Sequence, residues 1–216
     1  MIVAPSIIAA DFSQLQKELN KVKKAGADLL HLDVMDGVFV PNLTFGPMMV
    51  EAIDKMTDLE LDVHLMIVKP EKYLGVFIDA GADWLSFHAE AGDKTNECIK
   101  CIRRRNKKVG LVISPNTPFR RITRYLEKID FLLIMTVNPG FYGQKFMPEI
   151  LKKISEAKSW LVRHHLPCLI QVDGGINHKN AEDVARAGAD IVVAGASVFK
   201  SKDYKRAVVD LRCSKV

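Results

Sequence analysis

Residues 25–33 read Ala-Gly-Ala-Asp-Leu-Leu-His-Leu-Asp, and the first four of them return as residues 80–83 and 187–190. Each copy follows a helix-like stretch and precedes a short apolar run, LLHLD, WLSFH or IVVAG. Gly supplies the left-handed residue that ends a helix, and a short apolar run suits a strand buried on both faces. The tetrapeptide therefore marks a helix-to-strand junction written three times. Its copies start 55 and 107 residues apart, close to two and four eighths of the 216-residue chain. A unit of about 27 residues holds one strand, one helix and short loops, so the spacing points to eight such units.

Working outward, strands are expected at residues 2–8, 29–33, 61–66, 84–88, 109–113, 131–135, 168–172 and 191–194. Helical patterns fill residues 13–25, 70–80, 95–105, 148–165 and 180–187, several opened by Ser, Pro or Asn. Strict strand–helix alternation calls for right-handed crossovers and a parallel sheet, either closed into a (β/α)8 TIM barrel or open and doubly wound. The barrel is favoured, because eight near-equal units match closure and no G-x-G-x-x-G opens the first helix. No shift in composition marks a boundary, so residues 1–216 are read as one domain.

Composition is that of a globular protein, with 48% hydrophobic and 26% charged residues, 13 Gly and 9 Pro. Disordered, collagen-like and disulfide-rich classes are excluded. No apolar run is long enough to span a bilayer, and the start MIVAPSIIAADF lacks a basic leader and a cleavage site, so a cytoplasmic protein without membrane partners is expected. Cys98 and Cys101 form a C-x-x-C with no second half-site, which reads as two ordinary helical positions. The net charge of +5 favours anionic partners. Its basic runs, Arg103 to Arg105, Lys107 with Lys108, and Arg120 with Arg121, lack interleaved aromatics, which argues against nucleic acid.

In a barrel the active site lies at the carboxyl ends of the strands. There, the period of two turns His31, Asp33 and Met35 to one side and Leu32 and Val34 to the other. The same alternation runs through Asp62, His64 and Met66, although Asp62 could turn outward if the register is shifted. Asp173 ends the seventh strand. Two imidazoles and two carboxylates suit one borderline divalent ion, Zn²⁺ first, with Fe²⁺, Mn²⁺ or Co²⁺ as alternatives. His88 lacks a paired acid and reads as structural or as support to the ligands. Met35, Met66 and Met135 either fill the core or shield the ion and a charged intermediate from water. Glycine-rich turns follow strands six, seven and eight, around Gly140 and Gly143, Gly174 and Gly175, and Gly195. Their amides suit a phosphate.

These residues resemble the ribulose-phosphate 3-epimerase family. The likeness rests on APSIIAADF at 4–12, HLDVMDGVFVPNLTFGP at 31–47, DVHLMIVKPE at 62–71, VNPGFYGQKF at 137–146 and VDGGIN at 172–177. The resemblance implies the barrel, with His31, Asp33, His64 and Asp173 as metal ligands and Asp33 and Asp173 as the acid–base pair. It implies that Ser6 and His64 touch the substrate. Gly140, Phe141, Tyr142, Gly143, Gly174, Gly175, Gly195, Ala196 and Ser197 would hold its phosphate. The implied reaction, in the pentose phosphate pathway, inverts carbon 3 of D-ribulose 5-phosphate through an enediolate to give D-xylulose 5-phosphate. A homo-oligomer is expected. The alternatives are a 3-epimerase of D-allulose 6-phosphate with the same mechanism, and a non-catalytic phosphate-binding barrel. Two positions depart from the family pattern: Tyr142 stands where a second glycine is usual, and Gly195-Ala196-Ser197 replaces Gly-Ser-Ala. Should position 142 need a positive φ, Tyr would cost roughly 1–2 kcal/mol there, so the loop takes another shape or Tyr142 covers the phosphate.

Overall fold

The computed structural model describes residues 1–213. Its strands are β1 (Ile2–Pro5), β2 (Leu29–Met35), β3 (Glu60–Met66), β4 (Trp84–His88), β5 (Lys108–Ile113), β6 (Phe131–Met135), β7 (Leu169–Asp173) and β8 (Ile191–Ala194). The helices are α1 (Leu15–Lys24), α2 (Pro47–Asp54), α3 (Leu74–Asp79), α4 (Thr95–Arg104), α5 (Ile150–Arg163), α6 (Ala181–Ala187), α7 (Ala196–Phe199) and α8 (Tyr204–Arg212). The strands form one parallel sheet in the order β1-β8-β7-β6-β5-β4-β3-β2. A single bridge from Ser6 to His31 joins β1 to β2 and brings the sheet round into a TIM barrel.

The repeated tetrapeptide does more than end helices. Gly26, Gly81 and Gly188 all take positive φ, and the Asp that follows two residues later latches the strand before it. Asp28 accepts from Val3 N at 2.8 Å while its own N–H donates to Val3 O at 3.0 Å. Asp83 does the same with Leu61, at 3.1 and 3.0 Å, and Asp190 with Ile170, at 3.0 and 2.8 Å. Asp130, outside the repeat, makes a fourth such pair with Val109. Each latch satisfies an N–H at the amino end of a strand, where the ladder has not yet begun.

The period of two sorts the side chains. Leu30, Leu32, Val34, Leu61, Val63, Leu65, Ile170 and Val172 point outward into one apolar layer shared with the helices. Inside, the base of the barrel is filled by Ala4, Leu29, Trp84, Phe131, Ile191 and Val193. Above that plug the interior turns polar, with His31, Asp62, Ser86 and Gln171 fully buried. Apolar packing thus closes the barrel below, and the polar residues are confined to its upper half.

Several elements differ from the sequence reading. The first strand stops at Pro5, and residues 7–9 wind into a 3₁₀ turn that carries Ser6 over the barrel mouth. The helix expected at residues 70–80 splits into a 3₁₀ turn and the short α3. Between β5 and β6 the alternation lapses: Pro115 and Pro118 interrupt the chain, and two 3₁₀ turns, Phe119–Arg121 and Thr123–Lys128, stand in place of an α-helix. Helices α2, α7 and α8 were not anticipated. The first two each start directly after a glycine, Gly46 and Gly195.

The latches predict a measurable asymmetry. Asp83→Ala leaves the buried N–H of Leu61 without its carboxylate and removes an ion pair to Lys107 at 2.8 Å. Urea unfolding should show a loss of about 1–3 kcal/mol, against less than about 0.5 kcal/mol for the exposed loop variant Asp93→Ala.

Candidate metal and substrate site

Strands β2, β3 and β7 bring His31, Asp33, His64 and Asp173 together, one ligand atom from each lying within 4.8 Å of all the others. Asp33 is the hub. Its Oδ1 lies 3.3 Å from His31 Nε2 and 3.2 Å from His64 Nδ1, and its Oδ2 accepts from Ser6 Oγ at 2.6 Å. Ligands bound about 2.0–2.1 Å from one tetrahedral ion stand about 3.4 Å apart, so both contacts match the edges of such a site. The chemistry of the donor set agrees, being two imidazole nitrogens with two carboxylates and no thiolate.

The supports behind the ligands define which atoms face inward. Asp62 turns into the barrel and accepts from His31 Nδ1 at 2.7 Å, leaving His31 Nε2 toward Asp33. Gln171 Nε2 donates to the same carboxylate oxygen. Behind His64 stands His88, with their Nε2 atoms 3.0 Å apart, and Phe39 packs on the His88 ring with centroids 4.7 Å apart. Asp62 was visible as a possibility from alternation alone. Gln171 carried no signal beyond its place in an apolar strand, and Glu90, which meets His88, lies past the end of β4.

Electrostatics separates the two aspartates. Burial opposes ionisation of Asp33, but His31 and His64 overcome it and hold the carboxyl far below the usual carboxylate range. Asp173 is pushed up to about 7 by burial and by the negative charge of Asp33. His31 is raised well above the ordinary imidazole value, because Asp62 and Asp33 outweigh its desolvation. His64 falls to about 4 through burial, with His88 adding to the effect, which leaves it neutral and able to ligate. Glu90 drops to about 2 despite burial, through the hydrogen bonds from His88 and Thr117.

A cavity of about 360 Å³ opens above this cluster. Asp33, Asp173 and Ser6 lie at its base, and Met35, Met66 and Met135 form part of its wall. Residues 140–143, Gly174 with Gly175, and Gly195 to Ser197 line the remaining side. His31 and His64 are fully buried behind it, and His64 contacts Asp33 and His88. The tyrosine question resolves locally: Gly143 takes the positive φ of 80°, Tyr142 does not, and its ring is exposed beside the cavity. Asn42 Nδ2 donates to Gly140 O at 2.8 Å and ties this loop to the one after β2. The C-x-x-C lies on the outer helix α4 as two free thiols, Cys98 buried in the core and raised to about 12 by desolvation. Among the described residues no helix is long and apolar enough to cross a membrane.

Comparison with known proteins agrees with this geometry. The sequence profile of the Ribulose-phosphate 3 epimerase family matches residues 2–199. A ribulose-phosphate 3-epimerase of Bacillus subtilis is 48% identical over 214 residues, covering 99% of both chains. One from Synechocystis is 47% identical over 217 residues, covering 100% of this chain and 94% of the relative. Among solved structures, the 3-hexulose-6-phosphate synthase of Salmonella typhimurium superposes with a TM-score of 0.72 at 18% identity, over 98% of this chain and 97% of that one, a likeness of fold.

Two glycines of the cavity wall are fixed by close approach. A Cβ on Gly174 would lie 2.5 Å from Val137 Cγ2, and one on Gly175 2.4 Å from Phe146 N, with φ of +123° and +68°. Gly174→Ala and Gly175→Ala should each lose about 1–3 kcal/mol in urea unfolding. Gly46→Ala, where nothing lies within 4 Å, should stay within about 0.5 kcal/mol of the parent.

Proposed function

This chain belongs to the ribulose-phosphate 3-epimerase family, and from that premise we propose that it interconverts D-ribulose 5-phosphate and D-xylulose 5-phosphate. Asp33 and Asp173 carry protons to and from carbon 3, and with His31 and His64 they hold one divalent ion. The observation that supports this most is the placing of two carboxylates from separate strands at the base of one cavity, above two buried imidazoles.

The chemistry needs that arrangement. Inversion requires a proton to leave one face of a carbon beside a carbonyl and another to arrive on the opposite face, so one carboxyl group must stand on each side of the bound sugar. Asp33 is the base in one direction and Asp173 the acid, and the roles exchange in reverse. When bound, a divalent ion in this cradle supplies Lewis-acid stabilisation of the negative charge that develops on the substrate oxygens, worth several kcal/mol. The chain's own groups do the rest. The Ser6 hydroxyl, 2.6 Å from Asp33 Oδ2, fixes the orientation of that carboxylate. The three methionines exclude water from the reacting face. The amides of the loops after β6, β7 and β8, with the free N–H groups of the first turn of α7, receive the phosphate. Tyr142, exposed at the rim, closes over it.

Heavy water tests the two-group mechanism. Turnover by the parent should place solvent deuterium on carbon 3 of the product, because the proton that arrives comes from a different group than the one that took the first. Asp173→Asn should abolish epimerisation while retaining slow exchange of deuterium into unreacted substrate, measured on protein whose bound metal is quantified in the same sample. Near-parental epimerisation by metal-loaded Asp173→Asn would overturn the assignment.

A further inference from the structure

His88 is buried and Glu90 half-buried; both lie outside the substrate cavity and have no part in the chemistry above. They are joined to it by a line of short contacts. His64 Nε2 stands 3.0 Å from His88 Nε2, His88 Nδ1 stands 3.2 Å from Glu90 Oε2, and Glu90 Oε1 accepts from Ser114 N at 2.9 Å and from the Thr117 hydroxyl. We propose that Glu90 and His88 are positioning residues that set the tautomer of His64, presenting its Nδ1 lone pair to the divalent ion. The inference rests on the metal cradle of the preceding subsection and adds the device that prepares it.

The direction of the line is set at its outer end, where the ionised Glu90 carboxylate only accepts. Glu90 therefore requires the proton of His88 on Nδ1. In the proposed tautomer His88 carries its one N–H on Nδ1, which makes Nε2 the acceptor. His64 must then donate from Nε2, which strips its Nδ1 of a proton. That bare nitrogen faces the Asp33 Oδ1 atom 3.2 Å away. Two lone pairs at that distance repel unless a cation lies between them. On the other side Asp62 accepts from His31 Nδ1, which leaves Nε2 as the His31 nitrogen facing the same Asp33 oxygen, at 3.3 Å. Glu90 is itself fastened to the segment after β5 through Ser114 and Thr117, and the Phe39 ring packs against the His88 imidazole.

The test is Zn²⁺ affinity, measured by competition with a chromophoric chelator, for the parent, His88→Leu and His88→Gln. Leu keeps the bulk and removes the acceptor, whereas the Gln carbonyl can still accept from His64 Nε2. We expect about a 10–100-fold weaker affinity for His88→Leu and recovery to within about threefold of the parent for His88→Gln. Glu90→Gln, whose amide can donate to His88 and reverse the line, should also weaken binding. Nitrogen-15 NMR of the Zn²⁺-loaded parent should show His64 protonated on Nε2 and His88 on Nδ1. Parental Zn²⁺ affinity in His88→Leu and Glu90→Gln, or a His64 proton on Nδ1, overturns this inference alone. Failure of the parent to bind Zn²⁺ overturns the metal cradle and this inference with it.

Discussion

Asp33 sits at the top of β2 with 4% of its surface exposed, above an apolar plug and among other buried polar side chains. A charge so enclosed must be matched by positive charge and hydrogen bonds, or it is driven to neutralise. The surrounding residues are arranged to meet that demand. Ser6 donates to one oxygen, and His31 and His64 stand at the other, each at the separation of two ligands on one ion. Asp62 and Glu90, a layer further out, direct the ring nitrogens. Asp173, which has no such set of donors, is left near neutral pH as the partner carboxyl.

The barrel keeps this polar cluster apart from the forces that hold the fold. At the amino ends of the strands, the aspartates of the helix-to-strand junctions pin the sheet through paired bonds to its backbone, and an apolar plug fills the base. At the carboxyl ends the glycine-rich loops are held by close backbone approach, as at Gly174 and Gly175, and by side-chain hydrogen bonds to their carbonyls from Asn42, Thr136 and Asn180. Substitution at the base therefore acts on stability, whereas the ligand and acid–base side chains at the mouth can be changed with less effect on the fold than the tightly packed glycines beside them.

The barrel was legible because its junctions repeat in sequence, and the inward set of His31, Asp33, His64 and Asp173 because a strand's side chains alternate with a fixed period. Strand and helix ends were less so. Ser6 owes its place to a 3₁₀ turn at the seam between β1 and β2, which reads in sequence as a continuation of the strand. The connection before β6 lost its helix to two prolines set among residues with no strong preference. Support contacts were hardest to see, since His88 meets its acid only because Glu90 folds back from the residue after next. Neither alternation nor spacing reports a contact that depends on how a loop turns.

A divalent ion held by two imidazoles and two carboxylates at the top of β2, β3 and β7 is the centre of the proposed chemistry. X-ray absorption spectroscopy of protein purified without chelator measures that directly. It should show one ion per chain, with only nitrogen and oxygen neighbours at about 2.0–2.2 Å and the outer-shell scattering of two imidazoles, one of which disappears in His31→Ala. An ion bound through sulfur, or an unchanged spectrum in that variant, would contradict it.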